Sequence, residues 1–372
     1  MVGSAVRITA AVARKPNAEF TLETLDLEAP RAGEVLVEIR SVGICHTDLA
    51  ARDGQIPFAV PAVLGHEGAG VVLEVGEGVT KVRAGDKVGL TFNYCGACRN
   101  CRKGDMAYCY EFMPRNYAGT RLDGSRQITS SSGEEIGHAF FGQSSFATHA
   151  LATEWNVVKL ADDADLELVG PLGCGVQTGA GAVINALKAD RGSTLLVVGG
   201  GSVGLSAVLG GLVQGCETIV VAEPHESRRA LAREMGATHT IDPAAGPLAE
   251  QVKAITPEGA HFVFDTTGLA AVVESTFEAL APHGALGLVG VPADPTAAVS
   301  VSLLGALVIG VTVHGIIEGD AVPDEFIPRM AELHAAGRFP FDKMITKFPF
   351  AQINEAIEAQ HRGEVVKAVL VH

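Results

Sequence analysis

A glycine-rich turn between an apolar strand and an apolar helix constrains the fold more than any other feature of this sequence. The segment Thr194–Val198 is continuously apolar, and Gly199-Gly200-Gly201-Ser202-Val203-Gly204 follows it directly. In such a G-x-G-x-x-G turn, Gly199 permits the turn, Gly201 lets a pyrophosphate approach the backbone, and Gly204 lets helix and strand pack closely. The next predicted strand is Thr218–Ala222, and Glu223 follows at its end, where a carboxylate can hold an adenosine ribose hydroxyl. The pattern predicts a dinucleotide-binding domain.

Strands and helices alternate on the C-terminal side of this turn. A polar-faced helix is predicted at Ser227–Met235, strands at Phe262–Asp265 and Ala285–Gly290, a later helix at Pro328–Ala336 and a terminal strand at Val365–Val371. Such alternation is typical of a doubly wound parallel sheet.

The first 170 residues follow a different pattern, with short strands and no intervening helices. Glu34–Arg40 alternates at period two, and Gly70–Gly76 and Lys81–Leu90 are further β-rich runs. We therefore expect an α/β chain that pairs an antiparallel, barrel-like domain with a Rossmann domain. A length of 372 residues accommodates two domains.

Charge and targeting signals exclude several classes of function. The formal net charge of −15 would repel nucleic acid and anionic membranes. Thr194–Cys216 carries no charge and is long enough to span a bilayer, but its glycines favour a strand, a turn and a buried helix. Arg7 and Arg14 interrupt the apolar region that a secretory signal would need, so we expect a cytoplasmic protein without membrane or nucleic-acid partners.

Four of the seven cysteines lie close together, as Cys95, Cys98, Cys101 and Cys109. An odd number of cysteines without an export signal argues against a disulfide framework and favours metal ligation. Four neighbouring thiolates can surround one tetrahedral Zn²⁺ and leave no ligand position open, as in structural zinc sites. An iron–sulfur cluster is the alternative that four cysteines also allow.

A second, dispersed set consists of Cys45, the Gly65-His66-Glu67 step and Cys174. Three ligands of mixed sulfur and nitrogen type, with a fourth position open, describe a catalytic zinc. The glycines around Cys174 allow close approach, and Asp48 could orient His66 from behind. Spacing alone does not establish this site.

Taken together, these motifs resemble those of zinc-dependent medium-chain alcohol dehydrogenases, in the same order and over essentially the whole chain. Three further segments are most similar to aryl-alcohol (benzyl-alcohol) dehydrogenases, with geraniol-type allylic alcohol dehydrogenases as similar neighbours. The segments are Arg115-Asn116-Tyr117, Phe140–Thr148 and Leu172–Gly181. The resemblance implies a GroES-like catalytic domain at 1–175, a Rossmann domain at 176–317 and a segment, 318–372, that returns to the catalytic domain.

The resemblance also implies roles for individual residues. Cys45, His66 and Cys174 would hold the catalytic zinc, with Glu67 as a supporting or transient ligand. Thr47 would take the alcohol proton. Ala50 departs from the family, where many members carry an imidazole, and a water chain is expected to carry the proton onward.

The remaining implied roles concern cofactor and substrate. His46 and Lys367 would contact the pyrophosphate of NAD, Thr178 and Val203 would pack on the nicotinamide, and Arg228 lies near Glu223 in the adenosine site. Phe140 and Phe141 lie in the segment that lines the pocket in this family, and together with Phe92 they are candidate walls of the alcohol pocket. The expected reaction is reversible, NAD-linked oxidation of primary aromatic or allylic alcohols, with two zinc ions per chain.

Three alternatives remain at this point. They are an alcohol dehydrogenase for aliphatic substrates, a zinc-free quinone or enoyl reductase, and a zinc-bearing regulatory or nucleic-acid module. Metal content separates the last two from an alcohol dehydrogenase. The apolar run Val299–Val313 is expected to form a sheet edge that pairs subunits into a homodimer or homotetramer.

Overall fold

The computed structural model describes residues 5–372. The strands, in chain order, are β1 (Val6–Ala13), β2 (Phe20–Leu27), β3 (Glu34–Gly43), β4 (Ala62–Val63), β5 (Gly68–Val75), β6 (Lys87–Leu90), β7 (Ile128–Ser130), β8 (His149–Thr153), β9 (Val157–Lys159), β10 (Thr194–Val198), β11 (Thr218–Ala222), β12 (His239–Ile241), β13 (Ala260–Asp265), β14 (Leu280–Leu288), β15 (Thr312–Gly315), β16 (Ile345–Pro349) and β17 (Lys367–Val371). The α-helices are α1 (His46–Arg52), α2 (Phe112–Tyr117), α3 (Gly175–Gly181), α4 (Ser202–Gln214), α5 (Glu226–Glu234), α6 (Leu248–Ile255), α7 (Ala270–Phe277), α8 (Leu303–Ile309), α9 (Pro323–Ala335) and α10 (Ile353–His361).

The chain divides into two compact units. Among the described residues, the first comprises 5–174, 322–332 and 345–372, and the second comprises 175–321 and 333–344. The first unit contains a four-stranded sheet in the order β4-β1-β2-β7 and a seven-stranded sheet in the order β16-β17-β3-β5-β6-β9, with β8 also paired to β3. Pairing is antiparallel except between β16 and β17, as expected for the barrel-like domain.

A six-stranded, fully parallel sheet forms the second unit. Its order is β12-β11-β10-β13-β14-β15. The chain first adds β11 and β12 on one side of β10, and then adds β13, β14 and β15 on the other side. This is the doubly wound Rossmann topology, which binds ligands where the strand order reverses. The predicted α/β fold class is confirmed. Among residues 5–372, the helices are all too short or too polar to cross a membrane.

Several predicted boundaries differ from the structure. The C-terminal segment does not return as one piece, because residues 333–344 pack in the second unit, where Phe339 and Phe341 are buried. Helix α9 begins well before Pro328 and accommodates that proline in its interior. The apolar run from Val299 to Val313 is not a continuous strand: its central 7 residues form helix α8, and only β15 forms the sheet edge.

Candidate active site and metal centres

The first candidate metal centre is a lobe formed by the four cysteines Cys95, Cys98, Cys101 and Cys109. Their ligand atoms all lie within 4.8 Å of one another. The sulfur of Cys101 is 3.5 Å from that of Cys98 and 3.8 Å from that of Cys95. A tetrahedron with Zn–S bonds of about 2.3 Å has sulfur–sulfur edges of about 3.8 Å, so the cluster has the size of a ZnS₄ site.

Backbone N–H groups surround these sulfurs with hydrogen bonds. Cys95 Sγ accepts from Ala97 and Cys98 at 3.4 and 3.2 Å, and Cys98 Sγ accepts from Cys101 at 3.5 Å. The Cys101 N–H lowers the pKa of Cys98 to about 6, whereas burial raises the pKa of Cys101 to about 12. Because the thiolate is the form that binds metal, the N–H donors favour ligation by Cys98, and a cation must compensate the buried Cys101.

The second candidate centre joins residues that are far apart in the sequence. Cys45 caps helix α1, His66 and Glu67 lie between β4 and β5, and Cys174 follows the tight turn Gly170–Gly173. Their ligand atoms also lie within 4.8 Å of one another. The turn needs its terminal glycines, since a Cβ at either end would press on backbone carbonyl oxygens beneath it.

Asp48 connects two of these segments. Its carboxylate accepts hydrogen bonds from the N–H of Cys45 (2.9 Å), the N–H of Gly65 (3.1 Å) and Nδ1 of His66 (2.8 Å). Burial disfavours charge on His66, but the Asp48 carboxylate outweighs it and raises the pKa of the imidazole. The buried Nε2 of His66 has no hydrogen-bond partner among residues 5–372. Asp48 thus fixes one ring nitrogen of His66, and the other nitrogen lies close to the two thiols, as in a histidine that binds a metal.

Glu67 is held by a buried lysine. Lys367 Nζ donates to Glu67 Oε1 at 2.7 Å and to the carbonyl of Ile44 at 3.1 Å, and only 1% of Lys367 is exposed. Gly43 must lack a side chain, because a Cβ there would overlap the Glu67 carboxylate. The predicted contact of Lys367 with a cofactor pyrophosphate gains no support from this arrangement, in which the ammonium faces Glu67.

Thr47 lies beside the second centre, with Oγ1 3.6 Å from the sulfur of Cys45. Its neighbour His46 is exposed and lines a cavity of about 460 Å³ together with Ala50, Arg52 and His361. Thr47 therefore lies beside the candidate metal centre, and Ala50 borders an open space.

Aromatic rings enclose His66. The ring of Phe141 stacks on the imidazole at 4.4 Å between centroids, and the edge of Phe140 contacts it at 5.4 Å. Phe58 and Tyr117 extend the cluster through Phe140, at 5.0 and 5.8 Å. These rings pack directly against the imidazole, and Phe140 and Phe141 are themselves buried.

Phe92 is placed differently from the prediction. It is fully buried, and its ring contacts are with Tyr94 and Phe112 rather than with His66. It belongs to the same buried core as Phe140 and Phe141, and Phe112 lies between it and Phe141 through ring contacts at 5.9 and 6.4 Å between centroids.

The second unit contains a cavity of about 680 Å³ at the end of β10 and β11. Gly199, Gly201, Glu223 and Arg228 all line it. Gly199 has a φ of +99°, and a Cβ at Gly204 would overlap the Gly199 carbonyl, so both glycines are required by the turn. Around Gly201 there is open space, which leaves the backbone accessible to a phosphate group.

Backbone N–H groups hold the carboxylate of Glu223 next to the glycine turn. It accepts from the N–H of Gly200 at 2.7 Å and from the N–H of His225 at 2.9 Å. Arg228 Nε is buried and has no hydrogen-bond partner within residues 5–372. The predicted residues Thr178 and Val203 lie on helices α3 and α4, which touch so closely that a Cβ at Gly179 would overlap the Val203 carbonyl.

Comparison with known proteins agrees with this geometry. Residues 31–162 match the alcohol dehydrogenase GroES-like domain, and residues 202–335 match the zinc-binding dehydrogenase family. Geraniol dehydrogenase of Castellaniella defragrans is 50% identical over 364 residues, which cover 97% of each chain. The crystal structure of benzyl alcohol dehydrogenase from Acinetobacter calcoaceticus has a TM-score of 0.95 at 39% identity, with 98% of this chain and 99% of that chain covered. An alcohol dehydrogenase zinc-binding domain protein from Burkholderia ambifaria has a TM-score of 0.97 at 44% identity, covering 99% of both chains.

Fold and ligand clusters thus define a zinc-binding dehydrogenase with a dinucleotide-binding domain. More specifically, the chain belongs to the zinc-dependent medium-chain alcohol dehydrogenase family. The predicted enzyme class and cofactor class, zinc with a nicotinamide dinucleotide, are confirmed at this level.

Sequence reasoning missed three residues around His66. Phe58 and Tyr117 join the aromatic cluster, and Gln143 hydrogen-bonds to the backbone carbonyl of His66 at 2.9 Å. Tyr117 and Gln143 both lie in segments that resemble aryl-alcohol dehydrogenases, and that was the only signal available. Phe58 had no signal, because a single phenylalanine in a loop has no periodicity.

Proposed function

We propose that this enzyme oxidises primary aromatic and allylic alcohols to aldehydes with NAD⁺, and catalyses the reverse reduction. The observation that carries the proposal is the aromatic cluster around His66, with Phe141 stacked on the ring and Phe140, Phe58 and Tyr117 beside it. The names of two relatives, a geraniol dehydrogenase and a benzyl alcohol dehydrogenase, support the same substrate class.

The donor sets fit two zinc ions of different kinds. Cys45, His66 and Cys174 would hold the catalytic zinc, and the four-cysteine lobe would hold a structural zinc. The catalytic ion, when bound, would lower the pKa of an alcohol hydroxyl so that it loses its proton near neutral pH. Glu67 remains paired with Lys367, which offsets its charge beside the thiolates.

Thr47 would accept the alcohol proton, because its hydroxyl is the polar side chain beside Cys45 on helix α1. From there the proton needs a route to solvent. Ala50 has no group to carry it, and the cavity that Ala50 and His46 line has room for water molecules. We infer a water chain through this cavity.

Glu223 would accept a hydrogen bond from the adenosine ribose 2′-hydroxyl of NAD and would repel the 2′-phosphate of NADP. Arg228 in the same cavity would weaken this discrimination. We expect NAD⁺ to be preferred, measured as kcat/KM for each cofactor at a saturating alcohol concentration. A ratio that favours NADP⁺ would contradict the role of Glu223.

A panel of alcohols tests the substrate class. Burying a phenyl-sized group stabilises binding by roughly 1.5–3 kcal/mol. If the ring is bound equally in the transition state, benzyl alcohol should exceed ethanol by roughly 10- to 150-fold in kcat/KM. Geraniol and cinnamyl alcohol should perform comparably. Equal or better activity with ethanol would leave the dehydrogenase class intact and remove the aromatic assignment.

A pair of tyrosine variants connects this preference to the cluster. Tyr117 contacts both Phe140 and Phe141, at 5.8 and 5.2 Å. We expect Tyr117→Leu to reduce the benzyl-to-ethanol ratio of kcat/KM. Tyr110→Leu is the matched control, because Tyr110 is exposed and makes no ring contact within the described residues. If both variants change the ratio equally, the cluster does not set specificity.

We further infer that the enzyme is a homo-oligomer that pairs through β15. This strand forms the open edge of the parallel sheet, and helix α8 beside it exposes Leu303, Leu304, Leu307 and Val308. An unpaired edge next to an exposed apolar helix favours association with a second copy. Light scattering of Leu304→Glu/Leu307→Glu should show a smaller particle than the unmodified chain, and an unchanged mass would refute this interface.

A further inference from the structure

The segment from Ala139 to Ser144 is a backbone turn that holds an aromatic ring against the proposed catalytic ligand His66. Ala139, Phe141 and Ser144 have φ values of 59°, 51° and 53°, a region that residues with side chains rarely adopt. Such conformations persist only when the surroundings enforce them, and they are concentrated at functional sites. Here the unusual backbone places Phe141 flat on the His66 ring.

The Gln143 side chain enforces part of this geometry and contacts the metal-ligand segments directly. Its Nε2 donates to the carbonyl of His66 at 2.9 Å and to the carbonyl of Thr91 at 3.2 Å. Its Oε1 accepts from the N–H of Gly68 at 3.1 Å and from the hydroxyl of Ser145 at 2.9 Å. The amide thus binds the backbone on both sides of Glu67, at His66 and at Gly68.

Thr91 extends the connection to the third ligand segment. Its hydroxyl donates to the carbonyl of Gly173 at 2.7 Å, directly before Cys174 in the chain. Asn156, which is also fully buried, donates to the carbonyls of Phe141 and Gly142 and so supports the turn from the other side. One amide, that of Gln143, is therefore hydrogen-bonded to the His66 segment and, through Thr91, to the Cys174 segment.

We propose that Gln143 is a positioning residue for the catalytic metal centre, which sets the relative placement of His66 and Cys174. The inference rests on the proposed function, because it assumes that these two residues hold the catalytic zinc. Gln143 touches neither substrate nor cofactor in this proposal and acts only through the backbone of the ligand segments. Groups that orient metal ligands typically change metal affinity or activity 10- to 100-fold when they are altered.

The test compares two buried glutamines in the same unit. Gln143→Met keeps the length of the side chain and removes all four hydrogen bonds. Gln127→Met is the matched control, because Gln127 is also buried but its amide donates to Glu34, outside both metal centres. We expect the catalytic zinc of Gln143→Met to transfer to a chelator about 10- to 100-fold faster than in the control. The cobalt-substituted Gln143→Met should also show shifted d–d absorption bands, and kcat should fall more than KM changes.

Two outcomes would overturn the inference. One is a zinc-release rate and a cobalt spectrum in Gln143→Met that equal those of Gln127→Met. If Gln143→Met does not fold, Ser145→Ala is tested in its place, because this variant removes only the hydroxyl that donates to Gln143 Oε1. An unchanged release rate in Ser145→Ala would then refute the role of Gln143, whereas a smaller acceleration, below tenfold, would support it. A wild-type enzyme with only one zinc per chain would instead refute the proposed function.

Discussion

The two candidate metal centres of the first unit are built in opposite ways. The four cysteines of the lobe lie within one short segment, and backbone N–H groups of that same segment donate to their sulfurs. The centre at Cys45, His66 and Cys174 collects its ligands from three distant segments, and buried side chains hold it in place. A local cluster needs little beyond its own turns, whereas a dispersed cluster depends on the tertiary structure around it.

This difference has a consequence for chemistry. Four sulfurs at tetrahedral spacing leave no position for a substrate, so the lobe can contribute only to folding. The dispersed centre offers two thiols and one imidazole. The Thr47 hydroxyl lies beside Cys45, and the Phe141 ring stacks on His66. Only the dispersed centre therefore has both a hydroxyl and aromatic rings beside its candidate ligands.

The largest expected effect comes from removing one ligand of each centre. Cys174→Ala should reduce turnover below detection with a modest loss of stability, because it opens a site that tertiary structure still supports. Cys101→Ala should lower the melting temperature strongly, because a closed cysteine site contributes its binding free energy to folding. Zinc content, turnover and thermal unfolding of both variants distinguish the two roles.

Cys216→Ala is the control for these substitutions, since Cys216 is a buried thiol in the other unit and belongs to neither cluster. Its zinc content and turnover should equal those of the unmodified enzyme. A folded Cys174→Ala enzyme with near-normal turnover would contradict the assignment of the dispersed centre as catalytic.

The next largest effect concerns the Thr47 hydroxyl beside the dispersed centre. If the Thr47 hydroxyl accepts the alcohol proton, Thr47→Ala should reduce kcat by roughly 10²- to 10⁴-fold, the usual scale for a positioned acid–base group. Thr47→Ser keeps the hydroxyl and should retain most of the activity. Steady-state rates across a range of pH check this, and equal rates for Thr47→Ala and the unmodified enzyme would indicate direct proton loss to solvent.

The contrast between local and dispersed structure also explains what the sequence could predict. The lobe and the glycine turn after β10 are contiguous, so their spacing alone indicated a metal site and a nucleotide site. Strand β11 was predicted at its observed bounds, because an apolar run between turns leaves little freedom. The dispersed ligands were suggested by their residue types and by the glycines around Cys174, but it took the family resemblance to join them into one site, since spacing cannot bring Cys45 and Cys174 together.

Other residues could not be predicted because their roles depend on tertiary packing. Whether Phe92 faces the site or the core depends on the direction of one side chain, and it faces the core. Lys367 is remote from Glu67 in sequence, and only the pairing of β17 with β3 brings them together. The positive φ values at Ala139, Phe141 and Ser144 had no glycine to indicate them.

A smaller effect is expected at Asp48, which supports the dispersed centre without being one of its ligands. Asp48→Asn preserves the shape of the side chain but places an amide where a carboxylate accepts three hydrogen bonds. We expect catalytic zinc affinity to fall about 10- to 100-fold, while the lobe keeps its zinc. Competition with a metal indicator measures both sites, and equal losses from the two centres would mean that Asp48 acts on overall folding.

The smallest effect is a spectroscopic one and follows from the only tryptophan of the chain, Trp155. Its ring lies against the lobe, so closely that a Cβ at Gly96 would be 2.5 Å from it, and it contacts Tyr94 at 5.7 Å between centroids. The emission of Trp155 should therefore change when the lobe loses its zinc, and should not change when the dispersed centre loses its zinc. Because the dispersed centre would hold its zinc with three ligands and the lobe with four, a chelator should remove the zinc of the dispersed centre first. We expect activity to disappear while the emission is unchanged, followed by a red shift as the lobe loses its zinc and Trp155 becomes more exposed. Cys174→Ala should show only the second phase. Emission that changes together with activity would mean that the two centres are coupled, and the separation of a local folding site from a dispersed catalytic site would then be wrong.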